Sequence, residues 1–284
     1  VLALRAWARA NDELGRPGRA AALRAEADAI ANAIRDILYD RSTGLIAEHL
    51  FDDGVKGGTP ADFWAHTQIW AALAEISPED SRGLDRVAER CLDRGVFIAP
   101  ESAFEQDYVA ASTDSAADLP IESTATWLLA RWPEVTHLFS LAQIESGNTE
   151  LALDAVRQQL PEVLHAADTR CAPHYYAEKY LYPGTRPWLC TWAGDPSLIE
   201  VLIAGFLGVT PTSRGITIAP ALPAAWSGAA GIVRLVARET ELEIELSPEI
   251  PEGSAEIDAD FVRLPVTVQP RPGSRMRVRV STVV

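Results

Sequence analysis

The chain has 284 residues, 48% of them apolar and 23% charged, the balance of a globular protein rather than a disordered one. With 25 Lys and Arg against 40 Asp and Glu its formal net charge is −15, which argues against a duplex nucleic acid or an anionic membrane as partner, since both need a cationic face. Cys91, Cys171 and Cys190 are odd in number and far apart, without a CxxC pair, so neither a disulfide framework nor a zinc site is indicated.

In chain order, Leu2, Ala6, Trp7, Ala10 and Leu14 mark one face of a helix that stops at Gly15, and Leu23, Ala27, Ile30, Ile34, Ile37 and Leu38 mark a second amphipathic helix. The short GRPG break between them predicts antiparallel neighbours. The stretch RSTGLIAEHLFDDGVKGG reads as loop; a third helix carries Phe63, Trp64, Ile69, Trp70 and Leu73, and a fourth Leu84, Val87 and Leu92. Periodicity fails from Gly95 to about Ile121, a connection of a length that is functional, packed as a lid, or disordered. It returns over Thr124 to Trp132, through Val135, Leu138, Phe139, Leu141, Ala142 and Ile144, and from Leu151 to Leu164. HAADTRCAPHYYAEKYLYPGTRPW reads as ordered loop, and Leu198 to Leu207, apolar nearly all round, as a buried helix.

After Val209 the pattern changes. Runs at Ile232–Val236, Leu242–Leu246, Ala255–Ile257, Val262–Val268 and Met276–Val280, broken by Pro and Gly, predict a β domain that begins near Thr210, with a sandwich as the expected form. The first residue is Val1, without Met and already inside a helix, so the expectation is a piece of a longer protein. Serial helical hairpins with aromatic and acidic connections predict a mainly α chain: an α/α barrel over residues 1–209 with a pocket formed by its loops, followed by a small β-sandwich over 210–284.

Several side chains in those connections can carry chemistry. In RWPEVTH, Pro133 and Glu134 fit a helical first turn, where the macrodipole favours a carboxylate; the same carboxylate can act as a general base. His137, three residues on, shares its helical face and is either a hydrogen-bonded core residue or a site residue beside Arg131 and Glu134. HYYAEKYLYPG surrounds Glu178 with tyrosines, Tyr176 among them, and that mixture of rings and a carboxylate suits a sugar, whose apolar face stacks while its hydroxyls need acceptors. In PWLCTWAGDPS, Trp188 and Trp192 are a pocket wall or core, whereas Asp195 with Pro196 behind it reads as a helix cap. Asp114, Asp118 and His66 are further pocket candidates, each with a plain structural alternative. Glycosidic hydrolysis needs two carboxyl groups, one to protonate the departing oxygen and one to activate water, and spacing alone does not choose the pair.

Read together, AEADAIANAIRDILYDRSTGLIAEHLFDDG, HTQIWAAL, EVTHLFSLAQIESGNTELALDAV and YYAEKYLYPGTRPWLCTWAGDPSLIEVLIAGFLGVTPTSRGITIAPALPAAW resemble, in order over most of residues 1–226, segments of the inverting phosphorylases of glycoside hydrolase family 94. The resemblance implies an incomplete (α/α)6 six-hairpin barrel acting on glycosides, with His137 at a phosphate-contacting position and a general-acid aspartate that lies ahead of the segment matching Val1. Two departures point away from phosphate: Trp192 stands where that family has a phosphate-contacting hydroxyl, and ARWPE replaces its Glu-Asn-Gly-Gly-Gln lead-in. The chain is similar as well to the α-L-rhamnosidase barrels, through PWLCTWAGDPS, the Leu-Gly helix end and the C-terminal β domain.

The resulting expectation is glycoside hydrolysis with Glu134 and Glu178 as catalytic residues and Arg131, His137, Tyr176, Trp188 and Trp192 binding substrate. No metal or organic cofactor is called for. The partners expected are an oligosaccharide or glycoside and the N-terminal remainder of the same barrel, without which the isolated chain is expected to turn over little. Phosphorolysis and non-catalytic carbohydrate binding are the alternatives.

Overall fold

Glycine and proline set the first boundary: α1 (Leu2–Glu13) ends before Gly15, which takes a φ of 69°, and α2 (Pro17–Leu38) starts with proline in its first turn. A computed structural model describes residues 1–47, 49–50, 54, 56–57, 65–89, 133–168, 195–237, 239–269 and 273–283. These belong to two units, Val1–Ala142 with Asp154–Ser197 and Gln143–Leu153 with Leu198–Val284. The expected Gly95–Ile121 connection, the Thr124–Trp132 helix and all three cysteines lie outside the described residues.

In the first unit α1 packs on α2 through Ala8, Leu4, Ala20 and Leu23. The apolar stripe that the sequence shows on α1 is a different face, and it points outward: Trp7 and Leu14 are each 65% exposed. Following α2, the segment expected to be loop contains two short antiparallel ribbons, β1 (Tyr39–Asp40) with β2 (Leu45–Ile46) and β3 (His49–Leu50) with β4 (Lys56–Gly57). The first ribbon turns because the Asp40 carboxylate accepts bonds from the Ser42 amide at 2.9 Å, the Ser42 hydroxyl at 2.7 Å and the Thr43 hydroxyl at 3.1 Å.

Helix α3 (Ala65–Leu73) is held at three points. Gln68 donates from Nε2 to the Ile46 carbonyl at 2.7 Å and accepts at Oε1 from the Ile46 amide at 3.1 Å, so a side-chain amide takes the place of a neighbouring strand. Arg5 Nη1 and Arg35 Nε donate to the Ala74 and Ile76 carbonyls, each at 2.7 Å, placing two cations at the C-terminal end of α3, where carbonyls lack intrahelical partners. Behind Gln68, α4 (Gly83–Val87) comes close enough that a Cβ on Gly83 would meet Gln68 Oε1 at 2.7 Å. α5 (Pro133–Glu145) and α6 (Thr149–Asp168) follow, and Phe139, Ala142 and Ala155 join Leu45, Ala65, Ile69 and Val87 in one apolar core.

α7 (Asp195–Glu200) runs into π-wound turns over Val201–Phe206. This segment is not buried all round: Leu198, Val201 and Phe206 are buried, while Ile199 and Leu202 are exposed. Gly208 lets the chain leave it, with a φ of 61° and a Cβ position only 1.9 Å from the Ala219 carbonyl oxygen.

The strands that follow form two sheets. β5 (Val209–Thr212), β6 (Gly215–Ile218) and β11 (Val266–Val268) make a three-stranded sheet in the order β11-β6-β5. β7 (Gly231–Ala237), β8 (Thr240–Ser247), β9 (Ser254–Ile257), β10 (Asp260–Arg263) and β12 (Arg275–Ser281) make a five-stranded sheet in the order β10-β9-β12-β8-β7. The predicted Val262–Val268 run is therefore two strands in two sheets. Val209, Ile216, Ile218 and Val268 from the smaller sheet share a core with Leu242, Ile244, Ala255, Val278 and Val280 from the larger. On the other face of the larger sheet the alternation puts charges: β12 pairs β8 in parallel register, Arg275 with Glu241, Arg277 with Glu243 and Arg279 with Glu245, and Arg234 of β7 lies 2.8 Å from Glu243.

The expectation of a mainly α chain built as an incomplete (α/α)6 six-hairpin barrel with a small β-sandwich is thus overturned. Among the described residues a five-stranded and a three-stranded sheet with a core of their own stand beside the seven α-helices, and ribbons interrupt the helical part. Helical periodicity was legible helix by helix, but a barrel requires those faces to close on one another, and the α1 stripe faces solvent.

Gln68→Leu, which strands the buried Ile46 amide and carbonyl, lowers stability by about 2–4 kcal/mol in urea unfolding, and Gly83→Ala lowers it through the same contact by roughly 1–3 kcal/mol. Burial disfavours the Glu245 carboxylate, but bonds from Arg277 and Arg279 outweigh it and hold the group below its ordinary value of 4.5. Its stabilisation is present above pH 4.5 and lost as pH falls through the lower folded value, so Glu245→Gln is destabilising at pH 7 and its urea midpoint converges on wild type in acid.

Candidate functional site

Helix α5 carries the expected Glu134 and His137. Pro133 opens the helix, which puts Glu134 in its first turn and His137 one turn further along, on neighbouring positions of the helix surface. His137 is buried, and the adjoining positions Thr136 and Ser140 are buried polar residues in a helix otherwise anchored by Phe139 and Ala142. Ser140 Oγ donates to the Thr136 carbonyl at 2.8 Å, so its hydroxyl is satisfied within the helix. The Thr136 hydroxyl is fully buried and makes no hydrogen bond among the described residues. The Thr136 hydroxyl and the His137 imidazole are thus enclosed by protein within a turn of position 134, and a carboxylate in a helical first turn has the chemistry of a general base.

His66 lies at the start of α3, the helix that shares its core with α5, and is half-buried. Burial alone pushes its imidazole below the ordinary 6.5 because the charged form loses hydration. Trp70, read from the sequence with the apolar residues of this helix, is instead 45% exposed. Its position one residue after the buried Ile69 turns it about 100° off the core face, and that offset was the available signal.

Glu134's side chain and the whole of Arg131, Tyr176, Glu178, Trp188 and Trp192 lie outside the described residues, as do Asp114, Asp118 and the side chain of Asp195. Asp195 is the first residue of α7. Among the described residues no group of three or more His, Cys, Asp or Glu side chains is arranged to hold a metal ion.

No protein-family model and no curated protein sequence matches the chain. Among solved structures it is similar to the crystal structure of the GH78 family rhamnosidase of Bacillus sp. GL1, at 16% identity and a TM-score of 0.47, over 99% of this chain and 26% of that one. The chain spans about a quarter of the length of that structure. The likeness is to a rhamnosidase and not to a family 94 phosphorylase, and nothing about this chain's own family follows from it.

The shift at His66 has a direct consequence. Because its folded value is lowered, its contribution to stability is complete above pH 6.5 and declines as pH falls below that, and a His66→Gln variant shows a flatter pH dependence of the unfolding midpoint in this range. The His66 imidazole proton shifts of the wild-type chain, assigned by their loss in His66→Gln, titrate with a midpoint below 6.5.

Proposed function

We propose that the chain forms part of a carbohydrate-active enzyme that hydrolyses glycosidic bonds. The observation that carries this reading is Glu134 with His137 on one helix behind Pro133, in a sequence that holds a tyrosine-rich carboxylate segment and a tryptophan pair in the order seen in glycoside-processing enzymes. In this reading Glu134 is the base. Its carboxylate takes a proton from water as the water oxygen bonds to the anomeric carbon, and the bond from that carbon to the departing oxygen breaks.

A second carboxyl group must protonate the departing oxygen, a role not assigned to a residue of this chain, and Glu178 is the other catalytic carboxylate proposed for the site. Arg131, His137 and Tyr176 hold hydroxyls, and Trp188 and Trp192 supply flat apolar surface for a sugar ring. Water is favoured over phosphate as the attacking group because an indole at 192 offers phosphate no hydroxyl. The distant rhamnosidase neighbour is compatible with this and identifies no substrate.

In the full protein, Glu134→Gln is expected to cut hydrolysis of a responsive 4-nitrophenyl glycoside by about 10²- to 10⁴-fold with little change in KM. A variant within a few-fold of wild type would remove Glu134 from the base role. Turnover that requires added phosphate would replace hydrolysis by phosphorolysis, and sugar binding without turnover would leave a binding module.

A further inference from the structure

Helix α3 is buried on three sides and open on one. Ala65 and Ile69 face the core shared with α5, Gln68 is turned to Ile46, and Ala71 and Ala74 pack in a second cluster with Ile46 and Ile76. The side that remains carries Trp70, with His66 and Thr67 one turn before it, both half-buried. An open helix face ordinarily carries charged or flexible polar residues. This one carries an indole, an imidazole and a hydroxyl.

Trp7 on α1 is the informative contrast. It is more exposed than Trp70, yet Ala3, Ala10 and Leu14 around it have no hydrogen-bonding side chain, and Asn11, one turn on, commits its side-chain amide to the Trp7 carbonyl at 2.9 Å. Trp70 differs in being flanked by two groups that can each donate and accept. An apolar surface edged by uncharged donors and acceptors matches a pyranose, which shows a C–H face to a ring and hydroxyls around its rim. With a chain net charge of −15, an uncharged sugar is preferred to an anionic one.

We propose that the His66–Thr67–Trp70 face of α3 is a carbohydrate subsite, with the Trp70 indole stacked on an uncharged pyranose ring and His66 and Thr67 bonding its hydroxyls. The burial that disfavours the charged imidazole keeps His66 in the neutral form, which both donates and accepts. The subsite rests on the reading of the protein as glycoside-processing and lies on residues that reading does not use.

The test is binding rather than turnover, so the two ideas fail separately. Methyl α-L-rhamnoside, methyl β-D-glucoside and methyl α-D-mannoside are titrated by calorimetry and by saturation-transfer NMR with aromatic irradiation. At least one binds the wild-type chain; Trp70→Ala weakens that binding about tenfold or more, His66→Ala roughly fivefold, Trp70→Phe keeps most of it, and Trp7→Ala leaves it unchanged. Trp70→Gln, which keeps an exposed polar helix position, takes the place of Trp70→Ala if the latter does not fold. Wild-type affinity in a folded Trp70→Ala or Trp70→Gln variant overturns the subsite, as does equal loss in Trp7→Ala or failure of all three glycosides to bind. Binding lost at Trp70 in a protein that never hydrolyses a glycoside upholds the subsite and removes the hydrolase.

Discussion

The two bonds between Gln68 and Ile46 decide how the first unit is put together. A two-stranded ribbon as short as Tyr39–Asp40 with Leu45–Ile46 is not stable by itself, and its inner edge presents a buried amide and carbonyl that need partners. Gln68 supplies both from a helix, and this fixes the rotation of α3 about its axis, because only one helical phase points residue 68 at the ribbon. The close passage of Gly83 keeps the amide from swinging away, and Arg5 and Arg35 at the far end of the helix prevent it from sliding. Once that phase is set, Ala65 and Ile69 must face the core, and His66, Thr67 and Trp70 must face out.

The second unit solves a different problem. Its strands are short and two sheets must find one register, and the alternation in ELEIEL and RMRVRV does this from both faces at once. Leu242, Ile244, Val278 and Val280 enter the shared core. A slip of one residue would bury Glu243 and Arg277 in their place, at several kcal/mol for each unpaired charge. Arg–Glu pairs at a sheet surface are screened by solvent and add little to stability, so the ladder's larger effect is to penalise the wrong register.

What the sequence made legible was local. Gly15 and Pro17 located the break between the first two helices, the ESGN turn ended α5, and the start of β structure near residue 209 followed from β-branched alternation. What failed depended on partners distant in the chain. Trp7 and Trp70 look apolar wherever they stand, and only the positions of Ala8 and Ile69 on their helices show which face is taken. The Val262–Val268 run has one continuous pattern, yet its two halves pair with β9 and β6 in different sheets. A barrel needs helices whose apolar faces meet, and periodicity along one helix does not carry that information. Of the candidate site, the first turn of α5 was readable because Pro-Glu is a local signal, and Glu134 and His137 do share one helix; no local signal relates them to Glu178 or Trp188, which are dozens of residues away.

Helices α3 and α5 share one apolar core through Ala65, Ile69, Phe139 and Ala142, and this links the two regions to which a role has been given. The polar positions of each helix, His66 with Thr67 and Thr136 with His137, adjoin residues that are immobilised by close packing. A functional group held this way is positioned by the core instead of by its own loop, which restricts the rotamers it must lose on binding and makes the geometry reproducible. The same packing explains why polar residues are tolerated beside a core at all: a buried hydroxyl or imidazole costs stability unless something bonds it. Ser140 shows how that cost is met, its hydroxyl donating to the Thr136 carbonyl at 2.8 Å within the same helix.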